Sequence, residues 1–330
     1  MTIAVCTAQR FMHWFFLAAA TLLLFGCANQ PLPPESRHWV YTADGPEDTA
    51  AAGWAPAFVA YGHTETSNRI GRPAVRQEGQ GAEEVFIDPE QPVVYFLRRS
   101  FTTGKGAYTN LIYRVHFSEV PYSLIPFNLT AGKNTGLLVV VTVNADNLPV
   151  LVTTVHTCGC YLAIVPTQYL PEDAFPQDWS GDILNVYGEQ LPPLLDFKGI
   201  KSPQILVYLR PEVHRVMGLE VRDAHDLAVP PFRIIPMPVE AMDRLEHLPT
   251  MAGTTSLYYA EGILKGHVKG AIKPWETLSL SLISMDLFVG MDKAYADTGN
   301  PFYTSLKFWR RADSDMWDFP RFLRYWGWRL

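Results

Sequence analysis

The sequence predicts a mainly β fold of the α+β kind: an antiparallel, β-rich globular body, sandwich-like, with helices toward the C-terminus. Three observations carry this expectation. From Val93 the chain alternates β-branched and aromatic stretches with turn residues, as in "VVYFLRRSF" and "YTNLIYRVHF". "TGLLVVVTV" and "LPVLVTTVH" flank the turn-rich tetrapeptide "NADN", which makes them a hairpin. Helical spacing of apolar residues is confined to the last hundred residues.

The elements follow in order. The strand that opens at Leu148 is read as running on through His156, Cys158 and Cys160. "YLAIVP" continues past the cysteines and stops at Pro166, while "PQILVYLRP" and "PFRIIPMP" are bounded by prolines that suit strand ends or edges. "LPEDAFPQDWSGD" and "YGEQLPPLLDF" read as surface loops. A helix is expected over Val239–Leu248, with Met242, Leu245 and Leu248 on one stripe. A longer one is expected from Pro274, with Leu278, Leu282, Met285 and Val289 at helical intervals. The alternation of Leu278, Leu280 and Leu282 leaves a strand open there as an alternative. No shift in composition divides residues 56–330, which are expected to form one domain.

Nearly half of the residues are apolar, as expected of a packed body rather than a disordered one. The net charge of -6 argues against nucleic acid as a partner, because displacing counterions requires a basic face. There is no Walker loop, no GxGxxG after a strand, no HExxH and no GxSxG, so the enzyme classes that carry those motifs are disfavoured. A binding or envelope-structural role fits this sequence better than a recognisable reaction.

The start of the chain sets the compartment. Arg10 precedes the apolar run "FFLAAATLLLF", which is too short to span a bilayer comfortably, and a small residue follows it. Residues 1–26 therefore read as a secretory signal peptide. Leu24-Phe25-Gly26-Cys27 resembles the lipobox of bacterial lipoproteins, with Phe25 bulkier than the usual residue at its position. The resemblance implies that Cys27 carries acyl chains (palmitate among them) and becomes the first residue of the mature protein. With Ala28 rather than aspartate next, it also implies an outer-membrane anchor, with the body facing the periplasm. The competing reading is an ordinary signal peptide in which Cys27 is incidental. Residues 27–55, beginning "CANQPLPPES", are expected to be a Pro-rich tether between the lipid and the body.

Of the four cysteines, Cys6 leaves with the leader and Cys27 takes lipid, so Cys158 and Cys160 remain, in "VHTCGCY". On a strand, residues two apart share a face, so His156, Cys158 and Cys160 are expected to point the same way. Two thiolates and an imidazole suit copper as Cu(I), or zinc, with Gly159 supplying the bend and His116, His214 or His225 available as a fourth ligand. The alternative is a thiol-disulfide redox pair of Cys158 and Cys160, which can close a bridge only if the chain leaves the extended conformation. A third reading is structural: buried thiols or a local bridge, with no metal.

Other residues are weighed in the same way. The aromatic-basic tail, residues 309–330, suits contact with a membrane or an envelope protein. It also suits folding back on the sheet, with its arginines paired to Asp313, Asp315 and Asp318, and this second reading is favoured. Asp286, Asp292, Lys293 and Asp297 are expected along the late helix as a solvated face rather than as acid/base groups. Asn128 has the form of a glycosylation sequon that a bacterial lipoprotein would not normally use. His225, between Asp223 and Asp226, is read as part of a polar loop.

Overall fold

The computed structural model describes residues 38–45, 53–78, 82–124 and 127–330. The leader, Cys27 and most of the expected tether lie outside the described residues. In chain order the strands are β1 (His38–Asp44), β2 (Ala57–Ala60), β3 (Arg72–Glu78), β4 (Ala82–Asp88), β5 (Val94–Thr103), β6 (Gly106–Val120), β7 (Gly132–Val143) and β8 (Pro149–His156). They continue with β9 (Ala163–Pro166), β10 (Leu184–Val186), β11 (Glu189–Leu191), β12 (Pro203–Leu209), β13 (Val216–Asp223), β14 (Phe232–Ala241), β15 (Leu248–Thr250) and β16 (Gly253–Thr255). Among the described residues two α-helices follow, α1 (Pro274–Ser284) and α2 (Phe319–Tyr325).

Ten strands make one sheet in the order β13-β12-β2-β1-β14-β5-β6-β7-β8-β9, and the other six pair as three hairpins. The mainly β class, with helices toward the C-terminus, is the observed one. The sheet is mixed in detail, because β1 pairs with β14, β2 with β12 and β14 with β5 in parallel. β1 occupies residues 38–44, which were expected to be tether, so that expectation is corrected there. Val40 and Tyr41 are buried there, which is why the segment joins the sheet.

The sheet curls on itself. Phe58 of β2 and Val207 of β12 share one buried cluster with Leu137, Val139 and Val141 of β7. On the other face, Ile112, Leu138 and Val140 lie in a cluster with Phe319, Phe322 and Leu323 of α2 and with Trp328. Being covered on both sides, β7 and β8 read as near-continuous apolar runs instead of alternating ones. Their turn is as expected: the Asn144 side chain accepts from the amides of Asp146 (3.0 Å) and Leu148 (2.9 Å).

The C-terminal tail folds back. Asp318 caps α2 by accepting from the Arg321 amide, and Arg310 and Arg321 both pair with Asp313. Asp315 instead accepts from the amides of Phe302 and Trp317.

Three expectations about the late segments are corrected. Val239–Leu248 is not an α-helix: β14 runs to Ala241, and a single 3-10 turn (Met242–Glu246) leads to β15. Met242, Leu245 and Leu248 are nonetheless all buried, so the apolar spacing marked the core without fixing the element. The helix from Pro274 stops at Ser284, where Met285 takes a left-handed conformation (φ 52°). Asp286, Asp292, Lys293 and Asp297 therefore lie beyond it. Leu278, Leu282 and Met285 point to solvent, and only Val289 of the expected stripe is buried. Among the described residues, no helix is long and apolar enough to cross a membrane.

Candidate functional site

The strand expected to carry His156, Cys158 and Cys160 on one face ends at His156. A turn follows, in which the Gly159 amide donates to the His156 carbonyl (2.7 Å) and the His156 amide to the Cys160 carbonyl (3.0 Å). Gly159 has φ 94°, and the Tyr303 carbonyl occupies the place a Cβ would take, so only glycine fits. The turn, not strand alternation, brings the three side chains together. Cys158 and Cys160 are disulfide-bonded with Cα atoms 5.7 Å apart, inside the normal range. One ring nitrogen of His156 and the two Sγ atoms all lie within 4.8 Å of one another. His156 and Cys158 are buried, while Cys160 is partly exposed.

The turn is held by Asp292 and Lys293, expected from the sequence on a solvated helix face, together with Lys273. Asp292 is fully buried; its Oδ1 accepts from the Gly136 amide (3.0 Å) and, in a short contact, from the Thr157 hydroxyl. Its Oδ2 pairs with Lys273 Nζ at 3.0 Å, both side chains being out of solvent. Next to it, the Lys293 amide donates to the Thr157 carbonyl (2.8 Å), and Lys293 Nζ donates to the Cys158 carbonyl (3.2 Å). Burial pulls the Lys293 ammonium down to about 8. The available signal was an Asp-Lys pair inside an otherwise apolar run, "FVGMDKAYA", where a charge must find a partner.

Burial, followed by the positive charge of Lys273, lowers the pKa of His156 to about 3, so its imidazole is neutral and keeps a lone pair for a metal. Its Nε2 is buried and makes no hydrogen bond. The three expected fourth ligands fare differently. His214 is buried close to His156, and its pKa is likewise pushed down to about 3, first by burial and then by His156. Its ring, however, stacks on Phe117 with centroids 4.0 Å apart. His116 is buried on β6, where its Nε2 accepts from Arg114 Nε at 2.9 Å. His225 is exposed and paired to Asp223 at the far edge of the sheet. None of the three belongs to the cluster within 4.8 Å.

The bridge lines a cavity of about 260 Å³ together with Tyr187, Glu276, Leu280 and Tyr303. A neighbouring cleft of about 410 Å³ runs along Gly159 and Tyr161 to Trp179 and Trp326. The hairpin β10–β11, read from the sequence as loop, brings Tyr187 edge-on to Tyr161 at 4.9 Å. Its buried Glu189 takes the guanidinium groups of both Arg210 and Arg215, which fixes the segment around His214. Asn128, the sequon residue, is buried and donates to the Pro121 carbonyl (3.0 Å). Comparison with protein-family models, with curated proteins and with solved structures gives no match to this chain.

Proposed function

We propose that this protein is a lipid-anchored envelope protein, held at the outer membrane through Cys27. Its body takes up a soft transition metal on His156, Cys158 and Cys160 when the cysteine pair is reduced. Two observations carry this reading: one ring nitrogen of His156 lies within 4.8 Å of both sulfurs, and the Nε2 of this neutral histidine is buried and unpartnered. Such a nitrogen normally finds a partner, because leaving it bare costs roughly 1–3 kcal/mol. Two thiolates and one imidazole, with no fourth His, Cys, Asp or Glu in the 4.8 Å cluster among the described residues, match Cu(I) better than Zn(II), which takes four. A dithiol reductant, itself closing to a disulfide, gives two electrons and two protons to the bridge, and metal binding then releases the thiol protons.

The test is a titration of the acylated protein in detergent, reduced and kept anaerobic, against a chromogenic Cu(I) chelator. One Cu(I) per chain is expected, with the affinity falling at least tenfold in His156→Ala and in each Cys→Ser variant. Full copper uptake by the variants would remove the reading.

The observed bridge, lying at a cavity, favours a second reading: thiol-disulfide exchange with an envelope substrate. On that account Cys158→Ser traps a mixed disulfide through the partly exposed Cys160, which a metal-only site does not do.

A further inference from the structure

Helix α1 is built inside out. Its inward side carries the buried Glu276 and Ser284, while Trp275, Leu278, Leu282 and Ile283 are exposed. The apolar surface continues past the helix through Met285 and Leu287, and Leu278, Leu282 and Leu287 keep 72%, 81% and 73% of their surface in solvent. A helix of a water-soluble surface has the opposite arrangement, and a contiguous apolar patch of this kind marks a contact. Glu276 is the one charged residue in the helix, and it is buried, so the outward face has no charge to desolvate.

The position of the patch says what covers it. Strand pairing places His38, the first residue of β1, opposite Phe232, and through β14, β5 and β6 leads to Val120 and Gly132 near that same end of the sheet. α1 sits there: a Cβ on Gly132 would meet the Ile272 carbonyl and Lys273, and Trp275 touches Phe127 in the β6–β7 connection. Tyr122 and Leu124 of that connection are exposed as well. Ten residues, hence eleven Cα steps, separate Cys27 from His38, a reach of at most about 40 Å. Four strand-to-strand steps lead from β1 to β7, about 20 Å at ordinary spacing. The anchor thus enters the body at the end that carries the patch and reaches the bilayer beside it. The exposed Lys307, Phe308 and Trp309 flank the C-terminal end of α1, where Arg311 donates to the Ser284 carbonyl (2.5 Å); cations and aromatics of this kind suit the headgroup layer.

We propose that α1 and the turn after it lie flat in the headgroup region of the membrane that holds Cys27, forming a second, non-covalent contact with lipid. The proposal rests on the lipid-anchor reading of Cys27. With the anchor in place the effective concentration of the surface is already high, so a weak surface suffices. The contact would hold the body in one orientation, with the cysteine turn and its cavity close to the bilayer, since Leu280 of α1 lines that cavity.

The test is hydrogen exchange on the acylated protein in phosphatidylethanolamine–phosphatidylglycerol vesicles, compared with detergent, after its mass has shown whether Cys27 is acylated. Exchange in α1 is expected to slow at least fivefold on vesicles while β13 is unchanged, and Leu278→Glu with Leu282→Glu is expected to abolish the slowing. Unchanged exchange in α1 overturns the proposal, as does slowing that depends on protein concentration without lipid, which would mean a second copy covers the patch. Slowing that requires another envelope protein would also overturn it. An unmodified Cys27 removes the anchor reading alone. Flotation of that protein with the vesicles, lost in the double variant, then upholds the lipid surface, and failure to float overturns it.

Discussion

Helices α1 and α2 start alike and end up opposite. Each has a proline in its first turn and carries apolar residues at helical spacing. In α2 those residues, Phe319, Phe322 and Leu323, enter the core while Arg321 and Arg324 face out. In α1 the leucines face out and Glu276 faces in. Apolar spacing identifies a face; it does not say which way that face turns. In α1 the deciding influence is the buried charge that begins with Lys273 and pairs with Asp292, since the first residues of the helix must follow that ion pair inward. The cysteine turn rests on the same pair. The inverted helix and the site are therefore parts of one arrangement.

The strongest way to break that arrangement is Asp292→Ala. It leaves Lys273 buried without its partner and frees the Gly136 amide and the Thr157 hydroxyl. A loss of about 3–5 kcal/mol is expected in chemical denaturation. A loss under about 1 kcal/mol would mean the pair does not hold the turn. Next comes the contrast between the helices. Phe322→Ala in α2 is expected to cost about 3–5 kcal/mol, and Leu282→Ala in α1 under about 0.5 kcal/mol. Comparable losses would show that α1 packs as α2 does.

Acid sharpens the comparison further, because the site buries neutral histidines. His156 and His214 have folded pKa values of about 3, against an ordinary value of 6.5. Below pH 6.5 the unfolded chain binds protons that the folded one refuses, so stability is full above pH 6.5 and falls as pH drops. Between pH 6.5 and 5 each such histidine removes about 2 kcal/mol. His156→Gln is expected to flatten the pH dependence by that amount, as read from denaturation midpoints at the two pH values. A Cβ at Gly159 meets the Tyr303 carbonyl at a φ of 94°, so Gly159→Ala in the bridged protein is expected to cost about 1–3 kcal/mol in denaturation. The turn shifts away from the Tyr303 carbonyl, and the measured consequence is faster reduction of the bridge by a dithiol.

The sequence made the β7–β8 hairpin legible because its turn chemistry and its two apolar runs are local facts. His156, Cys158 and Cys160 were legible as a group for the same reason, since they fall within five residues of one another. What held them together was not legible. The turn depends on Asp292, Lys293 and Lys273, more than a hundred residues away, and on the Tyr303 carbonyl beside Gly159. The parallel pairings of β1 with β14 and of β2 with β12 were hidden likewise, because alternation within a strand reports its faces and not its neighbours. Residues 239–248 show the converse: the spacing put Met242, Leu245 and Leu248 on one stripe, and all three are buried, but the element is not a helix.

The most direct measurement of the central claim is X-ray absorption at the copper edge on the reduced, Cu(I)-loaded protein. The account predicts a three-coordinate Cu(I) with two sulfur neighbours and one nitrogen, the nitrogen lost in His156→Ala. A spectrum without two sulfurs, or one that His156→Ala leaves unchanged, would contradict it.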